Sequence, residues 1–375
     1  MALFSCCKFQ ARSCFMLLLC LTFTVSVTYY IQLPNDWISS VSDNIYSYYR
    51  NLTVHSPPRP RHMQTTDQRT TADSTPAVMS VTSRANTKAT EDLMSTVAPT
   101  PYNAAYPQNY HFILDEPDKC KQENPFLVLM VPVAPHELEA RNAIRSTWGN
   151  ETVVQGKTVT VLFLVGLPGI KTEKQQEELN LESQKYHDLI QSDFMDTYLN
   201  LTIKTMVIMD WLATRCPQAA YSMKVDSDMF LNLDNMMNLL LAPETPRINY
   251  ITGMVMWNRP VIRDPASKWY VPQELYPEDY YPTYLLGMGY IFSNDLPKKL
   301  VEVSKDIQPF NIEDAYVGTC LKKLGIAPST PPNPSQFKAY FNGNYQREEF
   351  QRVITTILSS PQQLIKFWQD SRRPT

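Results

Sequence analysis

The chain lacks an excess of either charge. Its 34 lysines and arginines face 37 aspartates and glutamates, for a formal net charge of −3, which excludes the basic surface that nucleic-acid binding relies on. Cysteine is sparse: Cys6, Cys7, Cys14 and Cys20 sit near the start, and only Cys120, Cys216 and Cys320 follow. Three such dispersed cysteines do not make a zinc site. They allow at most one internal disulfide with a leftover thiol, or an intermolecular link. Histidine is absent after His187. No GxSxG elbow, HExxH pair or phosphate-cradling glycine-rich loop occurs, so the usual hydrolase and kinase signatures are missing.

What is present starts at the amino terminus. Residues 1–13 carry Lys8 and Arg12 and no acid, and residues 14–33 hold no charged side chain, a length close to the roughly 20 residues of a membrane-spanning helix. Positive charge stays cytoplasmic. The prediction is therefore a cytoplasmic tail (1–13), a transmembrane signal anchor (14–33) and a luminal remainder, a single-pass type II arrangement. A cleaved signal peptide is the competing reading, because the leucine-rich part at 17–21 is short. Residues 34–108 are rich in Ser, Thr, Pro and Gln with almost no periodic apolar face. They are predicted to form a flexible, disordered stem, O-glycosylated where Thr and Pro cluster, with a small folded domain as the alternative. Sequons at Asn51, Asn150 and Asn200 agree with luminal exposure.

Residues 109–375 are long enough for one domain with a substantial core. The runs 126–133 (FLVLMVPV) and 159–165 (VTVLFLV) are continuous and apolar, as suits parallel strands buried on two faces. Helical patterns occupy 137–148, 172–186 and 201–213, the last leading into a further strand. Strand, helix, strand in repetition predicts an α/β domain with a mostly parallel central sheet and ligands at the carboxyl ends of its strands.

At one such end stands YSMKVDSDMF, residues 221–230. In an extended segment Asp226 and Asp228 point to one side while Ser227 points away. Ionised together they repel unless a cation or donors lie between them, and hard oxygens of this kind suit Mg²⁺ or Mn²⁺ bridging to phosphate. The alternative is a strand-ending Asx turn. Arg141 and Arg145 are four apart on a helix, hence on one face, where they either meet a diphosphate or form a solvated basic face. Glu313 and Asp314 open a helix, and either complement its dipole or aim one carboxylate into a site. The aromatic and acidic stretch 269–290 suits a sugar pocket as well as a loop packed on its own tyrosines. Trp269 within this stretch and Trp257 ahead of it are the acceptor candidates, and Gly287 and Gly289 permit close backbone approach near a donor sugar.

Four motifs occur in one order: Arg141-x-x-x-Arg145-x-Thr147-Trp148-Gly149; Phe194-x-Asp196-x-Tyr198-x-Asn200-Leu201-Thr202-x-Lys204-Thr205; Lys224-Val225-Asp226-Ser227-Asp228-x-Phe230-x-Asn232; and Glu313-Asp314-Ala315-Tyr316-Val317-Gly318. Together they resemble the β1,3-galactosyltransferases and β1,3-N-acetylglucosaminyltransferases of glycosyltransferase family 31, over essentially residues 125–370. The resemblance implies a Golgi type II hexosyltransferase with a GT-A-like fold in a single catalytic domain (109–375). It also implies use of a UDP-sugar and Mn²⁺, with inversion at the anomeric carbon. By the same resemblance Arg141 and Arg145 bind the donor, Asp226 contacts donor or metal, Asp228 binds the metal and Asp314 is the acceptor-activating base, with Glu313 as fallback. An inverting transfer needs a base on the face opposite the departing diphosphate, so a carboxylate far in sequence from the metal-binding pair meets the chemistry too.

The activity expected is transfer of galactose from UDP-galactose to terminal N-acetylglucosamine of glycoprotein or glycolipid glycans. The alternatives are a β1,3-N-acetylglucosaminyltransferase acting on galactose, or a catalytically inactive luminal glycan-binding or partner protein. Expected partners are UDP-galactose, a glycan acceptor and the Golgi membrane through the anchor, with a homo- or hetero-oligomer left open. One departure prompts the inactive alternative. Relatives carry a histidine, implied as a second metal ligand, in a segment like Ile-Thr-x-His, where this chain has Val353-Ile354-Thr355-Thr356-Ile357.

Overall fold

The most apolar runs of the chain lie at the middle of a sheet. The computed structural model describes residues 110–169, 172–340 and 344–373, all within one compact unit, Met94–Thr375. Its strands are β1 (Phe112–Leu114), β2 (Leu127–Pro132), β3 (Val153–Val154), β4 (Lys157–Leu167), β5 (Leu189–Met195), β6 (Tyr221–Val225), β7 (Met229–Leu231), β8 (Ile251–Met256), β9 (Tyr284–Ser293), β10 (Phe337–Lys338) and β11 (Thr355–Ile357). The helices are α1 (Lys119–Glu123), α2 (Leu138–Arg145), α3 (Glu173–Tyr186), α4 (Leu201–Arg215), α5 (Leu233–Leu241), α6 (Leu296–Ser304), α7 (Glu313–Leu324), α8 (Arg347–Arg352) and α9 (Pro361–Ser371). The predicted runs 126–133 and 159–165 fall on β2 and β4, and the three predicted helical stretches fall on α2, α3 and α4, the last of which runs two residues further, to Arg215. Helix α2 stops at Arg145, short of the predicted 148, because Trp148 turns into a 3-10 segment and anchors its indole N–H on Met229 O at 3.0 Å.

The main sheet runs β1-β5-β4-β2-β6-β9-β8, with β3 on β4. Strands β5, β4, β2 and β6 are parallel to one another. Strand β1 is antiparallel to β5, β3 to β4, and β9 to both β6 and β8. This corrects the expectation of a mostly parallel sheet: the sheet is mixed, parallel in its centre and antiparallel at its flanks. The physical reason is that a continuous apolar run reports burial on both faces, which belongs to central strands, and carries no information on the direction of strands nearer an edge.

Alternation along β2 splits its side chains between two layers. Val128 and Met130 join a cluster with Leu162, Leu164, Ile190 and the side chains of α4, whereas Leu127, Leu129 and Val131 are buried on the other face. Helix α4 is buried on almost every side, because it lies between β2, β4 and β5 on one hand and α6 and α7 on the other. Cys120 of α1 is bonded to Cys216, just past α4, across 96 residues, and Cys320 is a buried thiol. Of the pairings open in the sequence, one internal disulfide with a leftover thiol is what forms.

A second, three-stranded sheet, β10-β11-β7, ties the carboxyl-terminal segment to the strand that follows the two aspartates. Among the described residues no helix is long and apolar enough to cross a membrane. The predicted tail (1–13), anchor (14–33) and stem (34–108) all lie outside the described residues, as does the sequon at Asn51.

Candidate active site

Strand β6 is buried at all five positions, so Lys224 carries its ammonium into the interior. There Nζ lies 2.7 Å from Asp226 Oδ1 and 3.6 Å from Glu313 Oε2, and donates to Gly287 O. One cation thus ties the end of β6, the start of β9 and the start of α7 together. Burial alone would depress Lys224; Asp226 and Glu313 outweigh it and hold the ammonium above its usual value.

Asp226 and Asp228 occupy a turn between β6 and β7, which corrects the expectation that they share an extended segment. The chain leaves one sheet at Val225 and enters the other at Met229, and a turn is needed between them. They do not use their side chains as an Asx turn does. The Asp226 backbone N–H donates to Met288 O at 3.0 Å, and its carboxylate is held by Lys224. The Asp228 carboxylate accepts from its own backbone amide and, among the described residues, from no other donor. Burial, then the neighbouring Asp226, raises it to about 7. Leu358 N–H donates to Asp228 O at 2.8 Å and Ile357 sits opposite Met229, so the segment 353–357 docks beside this aspartate with no histidine in it.

At the start of α7 the two acids part company. Glu313 is buried, with Oε1 taking the Tyr290 hydroxyl at 2.7 Å and Oε2 facing Lys224. Asp314 is half-buried and accepts the Gly287 N–H at 3.0 Å and the Ala315 N–H at 2.8 Å. Burial and Glu313 nevertheless raise Asp314 to about 7. Gly287 fits between them: a Cβ there would stand 3.0 Å from Glu313 Oε2 and 3.4 Å from Asp314 Oδ2. Gly289 pairs with Val225 at the end of β6. Tyr198 stands 43% exposed at the rim. Burial raises its phenol, followed by the fields of Asp314, Asp226 and Glu313, which places it near both acid groups.

The arginines lie further out. Arg141 is 1% exposed and grips Glu182 with two bonds of 2.7 Å while donating to Ala134 O and Pro135 O. Arg145 binds Asp188 in the same bidentate way, contacts Glu182 at 2.8 Å and lies over the Tyr186 ring. Both therefore pin α2 to α3 and the chain after it, and Arg141 also holds the loop that leaves β2. Lys204 holds the same loop through Val133 O at 2.9 Å and pairs with Asp196. Trp257 is 56% exposed directly after β8. Trp269 is partly buried, with the Lys268 ammonium 4.5 Å above its ring and 5.5 Å from that of Tyr198.

Sequence reasoning assigned no role to Lys224, Glu182, Asp188, Tyr198 or Tyr290. Lys224 had a usable signal, a lysine inside an otherwise apolar approach and two residues before an acid. The partners of the arginines had none, since they come from a separate helix and the strand connection after it.

The galactosyltransferase family profile matches residues 139–332, a span that includes both arginines and all four acids of the site. The chain belongs to the galactosyltransferase family. Beta-1,3-galactosyltransferase 2 of Pongo abelii is 40% identical over 333 residues, covering 88% of this chain and 77% of that one. Beta-1,3-galactosyltransferase 1 of Mus musculus is 42% identical over 265 residues, covering 70% and 79%. Among solved structures, the WbbM bifunctional glycosyltransferase aligns with a TM-score of 0.36 and 11% identity over 66% of this chain and 49% of that one.

The family resemblance implies a divalent cation, and the residues of this galactosyltransferase-family protein can be tested for it. No group of three or more His, Cys, Asp or Glu side chains able to hold a metal occurs among the described residues. The protein supplies two carboxylates, and Asp228 is the informative one. A half-buried carboxylate with no partner among the described residues but its own amide, repelled by its neighbour, fits a hard dication whose remaining ligands are phosphate oxygens and water.

Proposed function

We propose that this protein is an inverting, UDP-galactose-dependent β1,3-galactosyltransferase of the Golgi. In this reading it is a type II membrane protein with an anchor at 14–33, a stem at 34–108 and a GT-A-like catalytic domain at 109–375. The observation that carries the reading is the meeting of two acid groups across Gly287. Asp226 and Asp228 follow β6 in the turn to β7, Asp314 stands in the first turn of α7, and Lys224 with Glu313 locks their spacing. Family membership supports the sugar donor and the glycan acceptor.

Asp314 takes the proton from the acceptor hydroxyl as that oxygen forms its bond to the anomeric carbon and the bond to UDP breaks. Its position near neutrality suits a base that must accept a proton and give it up to solvent after each turnover. Between the two candidates, accessibility favours Asp314, because both Glu313 oxygens are engaged by Tyr290 and Lys224. Asp228 and Asp226 would hold Mn²⁺, which when bound supplies charge neutralisation for the departing diphosphate. Lys224 orients the Asp226 carboxylate. Arg141 and Lys204 brace the β2 loop on the donor side, and Arg145 braces the layer beneath it. Trp257 and Trp269 supply apolar surface to the acceptor.

The test uses the full chain in membranes with Mn²⁺ and a GlcNAc-terminated acceptor, offering UDP-galactose and UDP-N-acetylglucosamine in separate reactions. Galactose transfer is expected, and Asp314→Asn is expected to lower it by about two to four orders of magnitude. Transfer of N-acetylglucosamine alone to galactose-terminated acceptors would replace the donor. Transfer of neither sugar by folded protein across an acceptor panel would leave the non-catalytic glycan-binding role.

A further inference from the structure

Tyr281 belongs to the connection between β8 and β9 and is only 8% exposed. Its backbone N–H donates to Arg259 O at 2.9 Å. The ring is stacked on Phe310, with centroids 5.9 Å apart and planes 12° apart, and meets Tyr284 edge-on at 6.1 Å. Both neighbours border the base. Phe310 lies four residues before Asp314, and Tyr284 starts the strand whose Gly287 N–H binds Asp314. The box around the Tyr281 ring is completed by Tyr276 of the same connection, 5.2 Å away, so two of its three rings come from the segments that position the base.

Inside this box the hydroxyl is buried and has no hydrogen-bond partner among the described residues. Tyrosine hydroxyls that are buried normally find one, and leaving a buried donor unmade destabilises the fold. A phenylalanine would keep the same stack, so the free protein gains nothing from the oxygen. The phenol is raised by burial and next by the Asp314 carboxylate, with Arg263 acting in the opposite sense. The group nearest in effect to this unpartnered hydroxyl is therefore the base itself. Arg263 is occupied with the carbonyls of Val271, Tyr276 and Glu278 and does not compete for it.

We propose that the Tyr281 hydroxyl is an acceptor-binding group, donating a hydrogen bond to an oxygen of the acceptor sugar beside the hydroxyl that Asp314 deprotonates. The inference rests on the transferase reading above and deepens it to one named contact on the acceptor side. A polyhydroxylated pyranose supplies the oxygen that the buried hydroxyl lacks in the free protein, and the stack on Phe310 fixes the direction of the ring.

The experiment compares wild type with Tyr281→Phe, both as full chains, in steady-state galactose transfer with each substrate varied in turn, alongside thermal melting. The expected result is an acceptor KM raised by about five- to tenfold, the size of one neutral hydrogen bond. The UDP-galactose KM is expected to be unchanged and the melting temperature equal or higher. An acceptor KM within twofold of wild type overturns the inference, and so does a lowered melting temperature with both KM values raised, which would make the hydroxyl a structural partner. If wild type itself transfers nothing, the transferase reading fails. Calorimetry with a GlcNAc-terminated oligosaccharide and UDP then decides Tyr281 alone: binding that weakens by about five- to tenfold in the variant supports the contact, and equal or absent binding overturns it.

Discussion

At Asp314 opposing influences meet. Burial and the neighbouring Glu313 raise the carboxyl; the Gly287 and Ala315 amides and Lys224 lower it, and the first pair prevails to leave it at about 7. The charged form is the base, so activity requires deprotonation. With donor saturating, kcat/KM for the acceptor is expected to fall about tenfold per pH unit well below pH 7 and to level off above it, the limb reporting the donor-loaded enzyme. A rate profile across pH 5 to 9 checks this, and an acid limb centred near the ordinary carboxylate value of about 4 would reject Asp314 as the controlling group. The acids themselves were legible in the sequence, because paired carboxylates after an apolar run have little folding purpose. Their environment was not: Lys224, Tyr290 and Gly287 reach them from separate strands, and only contact reveals which acid is engaged and which is accessible.

Helix α7 presents Asp314 only if it lies close on β9, and Gly318 is what permits this. A Cβ at Gly318 would stand 2.5 Å from Tyr284 Cβ and 3.2 Å from Thr283 O. Alanine in a helix interior ordinarily stabilises relative to glycine by ~1 kcal/mol. Here Gly318→Ala is expected to reverse that sign, destabilising by about 1–3 kcal/mol through overpacking and lowering kcat as α7 moves off β9. Urea unfolding and transfer kinetics on the same preparation check both halves. At this scale the long helices and central strands were readable from their periods. The sequence leaves residues 226–228 open between an extended segment and a strand-ending turn, and only the passage of the chain there from one sheet to the other decides for a turn.

For the whole molecule, the Cys120–Cys216 bond fastens α1 to the end of α4 across 96 residues. A loop of that size constrains the unfolded chain strongly, so Cys216→Ser is expected to lower stability by about 4–5 kcal/mol in the chain-entropy account. Thermal melting of wild type and variant measures it, and peptide mapping of the native protein should find Cys320 as the unpaired thiol of the three. The large-scale order of the chain, with charge-free residues 14–33, a polar stretch and a domain of alternating strand and helix, was set by composition and periodicity, which are local properties. So was the list of acids and arginines worth weighing.

Which cysteine pairs with which, the antiparallel flanks of the sheet, the commitment of Arg141 and Arg145 to Glu182 and Asp188, and the tie that Lys224 makes between β6, β9 and α7 were decided only by tertiary structure. Each depends on residues brought together from distant parts of the chain, and neither hydrophobic period nor motif spacing encodes such distances.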